Sequence, residues 1–360
     1  MYRAFNPLLG VFFLSLSLSG QSVFDALYGE EVDRAVAVTL TVPLDSLAAR
    51  SAYEQAGQLM FTDHDGAPRV FGVEVSLRGK FRQVRCGFPP LKLDFAKGEL
   101  RASGMTTHDK YKLVPACYAD STAQALVLKE YLAYRAYALL SPEAHFRAQL
   151  LRITYRDAAA GRPDRTEYAF LLEDPDEMAE RSGGTEFGDS LGLTPNRYVA
   201  GAEARHALLQ YLLGNGDWSL DLQRNVKLVE LPDAQLIPVG YDFDFSGWVG
   251  APYASPSRQH GQQSIYQRVY LGYRQSDRIL GEVAQSFRDH RRELLRLIGD
   301  FDLLSEQERT VLQRFVKRFY DELGTMTADT RLELYRQLRG ETAAIIPPGS
   351  QPQYYGVGAR

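Results

Sequence analysis

Apolar and polar positions alternate along the first third of the chain and recur at helical spacing along the last. Residues 35–42 (AVAVTLTV), 58–62 and 70–77 follow a period of two, and Asp63-His64-Asp65-Gly66 between the latter pair predicts a hairpin turn. Pro89 and Pro90 introduce residues 91–95, where Leu91, Leu93 and Phe95 alternate with Lys92 and Asp94. From residue 122 to 140 the period changes. Leu126, Tyr131, Leu132, Tyr134 and Leu139 fall at near-helical spacing, and Ser141-Pro142 ends the run. Residues 149–155 and 166–173 read as two strands around a polar turn, and 174–196 as loop-rich chain. A helix over 202–213 precedes a hairpin of residues 226–231 and 236–240 that turns at Pro232-Asp233. Helical runs at 277–297, 305–323 and 327–338 complete the pattern, the second opening on a Ser305/Glu308 capping box.

With 360 residues, 45% apolar and 24% charged, the chain has ample material for a buried core. A net charge of −4 argues against a nucleic-acid partner, which calls for a basic surplus. The first residues change the picture more. Arg3 lies in a short positive region, residues 7–18 are apolar but too short to span a bilayer comfortably, and residues 19–22 (SGQS) offer a cleavage site. Residues 1–22 are therefore expected to be a signal peptide of a periplasmic or secreted bacterial protein, and no later segment reads as a membrane span. In an oxidising compartment the only two cysteines, Cys86 and Cys117, are expected to pair. Residues 341–360, with three prolines and two tyrosines, read as an unstructured tail.

Two polar stretches interrupt the apolar pattern where chemistry needs them. Residues 214–225 (GNGDWSLDLQRN) put Asp217, Asp221 and Asn225 on one loop, and residues 241–247 (YDFDFSG) put Asp242 and Asp244 just past a strand. One hairpin joins the two loops, so they should lie side by side. If the second stays extended, Asp242 and Asp244 share a face, with Phe243 and Phe245 turned to the core. Two carboxylates on one face repel unless a cation stands between them. An aspartate to orient an attacking hydroxyl, with Asn and Asp oxygens to hold Mg²⁺ against phosphates, is what phosphoryl transfer requires. The histidines show no metal-ligand spacing, and no nucleophile-elbow, His-Glu-x-x-His or Cys-x-x-Cys motif occurs.

In order and spacing the chain resembles the spore-coat CotH family of atypical kinases. The resemblance rests on Leu77-Arg78-Gly79, Pro90-Leu91-Lys92-Leu93, residues 110–114 (KYKLV), residues 128–132 (LKEYL), residues 170–173 (FLLE), Gly216-Asp217-Trp218, Asn225 and residues 241–244 (YDFD). It implies an α+β, two-lobed protein-kinase-like fold, with a β-rich lobe over 23–173 and a helical lobe over 174–340. It also implies ATP and Mg²⁺ as cofactors and a hydroxyl-bearing acceptor, a protein among the candidates. Arg78, Lys92, Glu130 and Glu173 then serve the nucleotide: Lys92 neutralises phosphate, Arg78 clamps it, Glu130 pairs with the lysine and Glu173 sits at the interlobe crossing. Asp217 orients the acceptor, with Asp221 the alternative, while Asn225, Asp242 and Asp244 hold the metal. The implied activity is an exported phosphotransferase. Two alternatives stand beside it: a catalytically silent binding module of the cell envelope, which has no need of clustered carboxylates, and a metal-dependent hydrolase, which would use the same aspartates with water as nucleophile.

Overall fold

The computed structural model describes residues 20–50, 53–188 and 191–324. The expected leader up to residue 19, the helix over 327–338 and the tail from 341 lie outside the described residues. Ser22, the last residue of that expected leader, caps α1 (Val23–Leu27) and donates to Glu177 Oε1 at 2.6 Å.

The period-two segments form β1 (Val36–Val42), β2 (Gln55–Thr62), β3 (Pro68–Leu77) and β4 (Leu91–Phe95), and they are joined by β5 (Lys110–Pro115), β6 (Ala148–Asp157) and β7 (Arg165–Leu172). Short helices α2 (Leu44–Ala48), α3 (Lys80–Arg85) and α4 (Lys97–Ala102) fill the connections, and α5 (Ser121–Leu140) leads to β6. The strands close into a barrel in the order β1-β2-β3-β4-β5-β7-β6. All neighbours are antiparallel except β1 and β6, which run parallel with Val36 opposite Leu151 and Val42 opposite Asp157. Alternate side chains such as Leu40, Phe71, Leu93, Tyr111 and Ile153 pack the interior. The disulfide Cys86–Cys117 is present, with Cα atoms 4.6 Å apart, and ties the end of α3 to the turn after β5.

Beyond the barrel come α6 (Pro175–Arg181), β8 (Thr185–Phe187), α7 (Ala200–Leu213), β9 (Val226–Glu230), β10 (Leu236–Gly240), α8 (Asp277–Asp289), α9 (Arg291–Gly299) and α10 (Glu306–Gly324). The last three strands make a small antiparallel sheet in the order β10-β9-β8. The long helix α5 lies between β7 of the barrel wall and the helices α7 and α9, so its buried tyrosines and leucines belong to the core of the helical half.

A closed mixed barrel accompanied by ten α-helices among the described residues is not a two-lobed protein-kinase-like fold, and the α+β expectation of that architecture is corrected here. Strands β1 to β4, β6, β7, β9 and β10 were where the pattern put them, whereas β5 and β8 were not expected from it. Their closure was hidden because a period of two marks a strand without naming its neighbour, and β1 finds its second partner more than a hundred residues later. Two local expectations also change. The stretch 174–196, read as loop, contains α6 and β8, with Asp174 capping α6 through the Asp176 N–H. Residues past β10 do not stay extended, because Asp242 takes a left-handed φ of 63°.

Candidate functional site

The loop after α7 owes its shape to one buried amide. Gly214 ends the helix with φ 64°, and the buried Asn215 then takes the Asp217 N–H on its side-chain oxygen at 2.9 Å. Its Nδ2 in turn donates to Gln210 Oε1. Trp218 and Leu220 plug the small core beneath the hairpin, which turns Asp217 outward. Asn225, also left-handed at φ 55°, donates from Nδ2 to the Asp217 carbonyl at 2.6 Å and to Asp217 Oδ2 at 3.1 Å. Asn and Asp tolerate this backbone region better than other L-residues.

After β10 the left-handed turn at Asp242 sends Phe243 into the core and leaves Asp244 buried above it. Phe245 does not join the core as its alternation predicted. It meets Phe81 edge to face with centroids 5.1 Å apart, at the rim. Across from these acids stand Arg78, Gly79, Lys80 and Arg82, at the start of α3. Gly79 adopts φ 71°, which an L side chain would strain, and so lets the chain turn from β3 into α3. Asp217, Asn225, Asp242 and Asp244 on one wall and Arg78, Lys80 and Arg82 on the other line one cleft of about 320 Å³.

The carboxylates in this cleft crowd together on one wall. Burial pushes the Asp244 carboxyl up to about 7, with the Asp242 carboxylate adding to the rise and Arg82 opposing it. Burial and Asp242 likewise raise Asp217, while Arg224, 3.3 Å from its Oδ1, pulls the other way. Glu130, in the middle of α5, is buried 3.7 Å from Arg82, and its carboxyl is raised by burial and then by Asp244. Such crowding is relieved by a cation, and the oxygen donors suit a hard one. The fit for Mg²⁺ is partial: among the described residues no three His, Cys, Asp or Glu gather as a metal cage. Asp242 and Asp244 with the Asn225 amide oxygen would hold such an ion, its remaining positions going to water and phosphate, as Mg²⁺ prefers.

Of the residues expected from sequence, the cleft therefore collects Arg78, Asp217, Asn225, Asp242 and Asp244. Glu130 lies behind it and pairs with Arg82 rather than with a lysine. Three others are placed elsewhere. Lys92 faces outward from β4, held by Glu54 at 2.9 Å and Asp94 at 3.1 Å. Glu173 is fully buried between Arg147 and Arg181, 2.8 and 2.9 Å away, and locks the start of α6 to β6. Asp221 accepts from the Tyr273 hydroxyl at 3.0 Å and does not line the cleft.

Beside the cleft, though not in its lining, the structure adds Lys112, which is opposite Lys92 in the β4–β5 register and so on the same outer face. Its ammonium stands 4.1 Å above the Tyr241 ring, next to Asp242 in sequence. Burial, then Arg78, lower its pKa to about 7, with Asp242 acting against them. Arg82, Tyr134 and Tyr253 were also missed. Tyr253 donates to Asp244 Oδ2 at 3.1 Å from a stretch without periodicity, so no pattern marked it. Comparison with known protein families and with curated proteins finds no match to this chain.

Proposed function

We propose that the cleft binds a magnesium-complexed nucleoside triphosphate and transfers its terminal phosphoryl group to a hydroxyl acceptor. The observation that carries this reading is the convergence of Asp217, Asn225, Asp242 and Asp244, from two loops, opposite Arg78 and Lys80 in one cleft. A bound divalent cation would neutralise phosphate charge there. Arg78 is placed to grip phosphate oxygens with its planar fork, and Lys112 to add a compact charge from the adjoining strand. Asp217, fixed by Asn225 and Asn215, accepts a hydrogen bond from the acceptor hydroxyl and aims its oxygen. This reading stands on the cleft and not on a fold.

Calorimetric titration of the purified protein with ATP, with and without Mg²⁺, tests it. Wild-type binding that requires Mg²⁺ is expected, and Asp242→Ala should abolish it with the fold intact. Asp217→Ala should keep binding and lose roughly 10²- to 10⁴-fold in transfer. A wild type with no response to nucleotide in either condition would end the proposal. Phosphate release without any acceptor would make the protein a hydrolase instead.

A further inference from the structure

One helix touches both walls of the cleft. On α5, Glu130, Tyr134 and Tyr137 follow one another at helical spacing and are all buried. Glu130 pairs with Arg82 of the basic wall. One turn on, the Tyr134 hydroxyl accepts the Asp242 N–H at 2.9 Å, and the Tyr137 hydroxyl accepts the Gly240 N–H at 3.2 Å. Phe243 sits against both phenol rings, with centroids 4.7 and 5.9 Å away. The Trp248 indole N–H, from the same segment, returns to the α5 backbone at the Lys129 carbonyl, 2.9 Å away.

From this geometry we propose that Tyr134 is a positioning residue for Asp242, and that α5 sets the spacing of the acidic loop from the basic wall. The proposal rests on the metal-nucleotide reading of the cleft. Asp242 holds a left-handed backbone at φ 63°, a conformation that costs free energy and persists only where neighbours enforce it. Past the end of β10 the Tyr241 N–H still bonds the Asn225 carbonyl at 3.1 Å, and the next N–H, that of Asp242, bonds the Tyr134 oxygen instead. Without that acceptor the half-buried N–H loses its protein partner, and the peptide is driven to rotate toward another one. Rotation swings the carboxylate away from Asp244 and Asn225. The phenol's own proton stays in place, because burial raises its pKa well above the usual value, with Glu130 next in effect.

Tyr134→Phe removes the hydroxyl and keeps the ring against Phe243. Tyr137→Phe is the matched control, since it deletes an equally buried hydroxyl that bonds Gly240 and His206 but not Asp242. In the full chain, Y134F should speed hydrogen exchange at the Asp242 amide and weaken Mg-ATP binding by roughly tenfold. Y137F should leave Mg-ATP affinity within about twofold of wild type, even where its melting temperature falls as far. Equal Mg-ATP affinities for Y134F and wild type would overturn the proposal, as would unchanged Asp242 exchange or equal weakening by Y137F. A wild type that binds no Mg-ATP removes the reading of the cleft itself, a different result from a wild type that binds and a Y134F that binds equally well. Should Y134F not fold, 3-fluorotyrosine at position 134 keeps shape and hydroxyl, makes a poorer acceptor, and should shift both readouts the same way by a smaller factor.

Discussion

Lys92 and Lys112 leave neighbouring strands on the same side and meet different surroundings. Lys92 carries two carboxylates of its own, so its charge is spent before any ligand arrives. Lys112 has an aromatic face, Arg78 and the acidic loop around it, and burial has weakened its hold on a proton. A phosphate group restores what burial took from it. Lys112→Ala should therefore weaken Mg-ATP binding about tenfold or more, while Lys92→Ala changes it less than twofold; calorimetry on both variants decides it. Asp244 gives a second test at this scale. Its pKa rises on folding from 3.8 to about 7, so the folded chain keeps a proton that the unfolded chain has released. The stability it contributes is complete at acid pH, declines as pH climbs from about 4 toward 7, and is constant above. Asp244→Asn should remove that decline and melt higher than wild type at pH 8 without added metal. Melting curves of both proteins across pH 4–9 provide the measurement, and parallel curves would mean that Asp244 ionises without penalty.

At the scale of elements, α3 is the part whose stability the site depends on. It has six residues, follows the left-handed Gly79, and supplies Lys80, Phe81 and Arg82 to one wall of the cleft. A helix this short does not hold itself. Its far end is fixed by Cys86 to Cys117, and by Arg50 and Tyr118, which bond the carbonyls of Cys86 and Arg85. In the chain-entropy account, the crosslink over 31 residues stabilises by about 3–4 kcal/mol. The double variant Cys86→Ser, Cys117→Ser should melt roughly 5–10 °C lower and also bind Mg-ATP more weakly. Loss of stability with unchanged affinity would show that α3 keeps its place without the crosslink. Much at this scale was legible. The hairpin joining the two aspartate loops is local, so sequence placed Asp217 beside Asn225 and Asp242 without knowledge of the rest. Lys112 was not legible as a site residue. Its strand shows the same alternation as that of Lys92, and only the packing of Tyr241 on β5 tells the two apart.

For the whole molecule, most of the long elements were legible, the short helices and β5 and β8 were not, and neither was the assembly. Strand periodicity is a property of neighbouring residues, whereas barrel closure is a property of the ends of the sheet. The core shows the same limit: α5 is encoded among the strands yet packs with the helical half, because its tyrosines face α7 and Phe243. The parallel pairing of β1 with β6 has a further consequence, in the time domain. As the chain emerges from its amino end, β1 can form its hairpin with β2 at once, but its other edge stays open until β6 has been made. During that interval a row of unpaired amides and carbonyls, flanked by Val38, Leu40 and Val42, is exposed to any other strand it meets. Closure over so long a separation is slow, so a chaperone that covers this edge early should raise the yield of native protein more than one supplied after synthesis is complete.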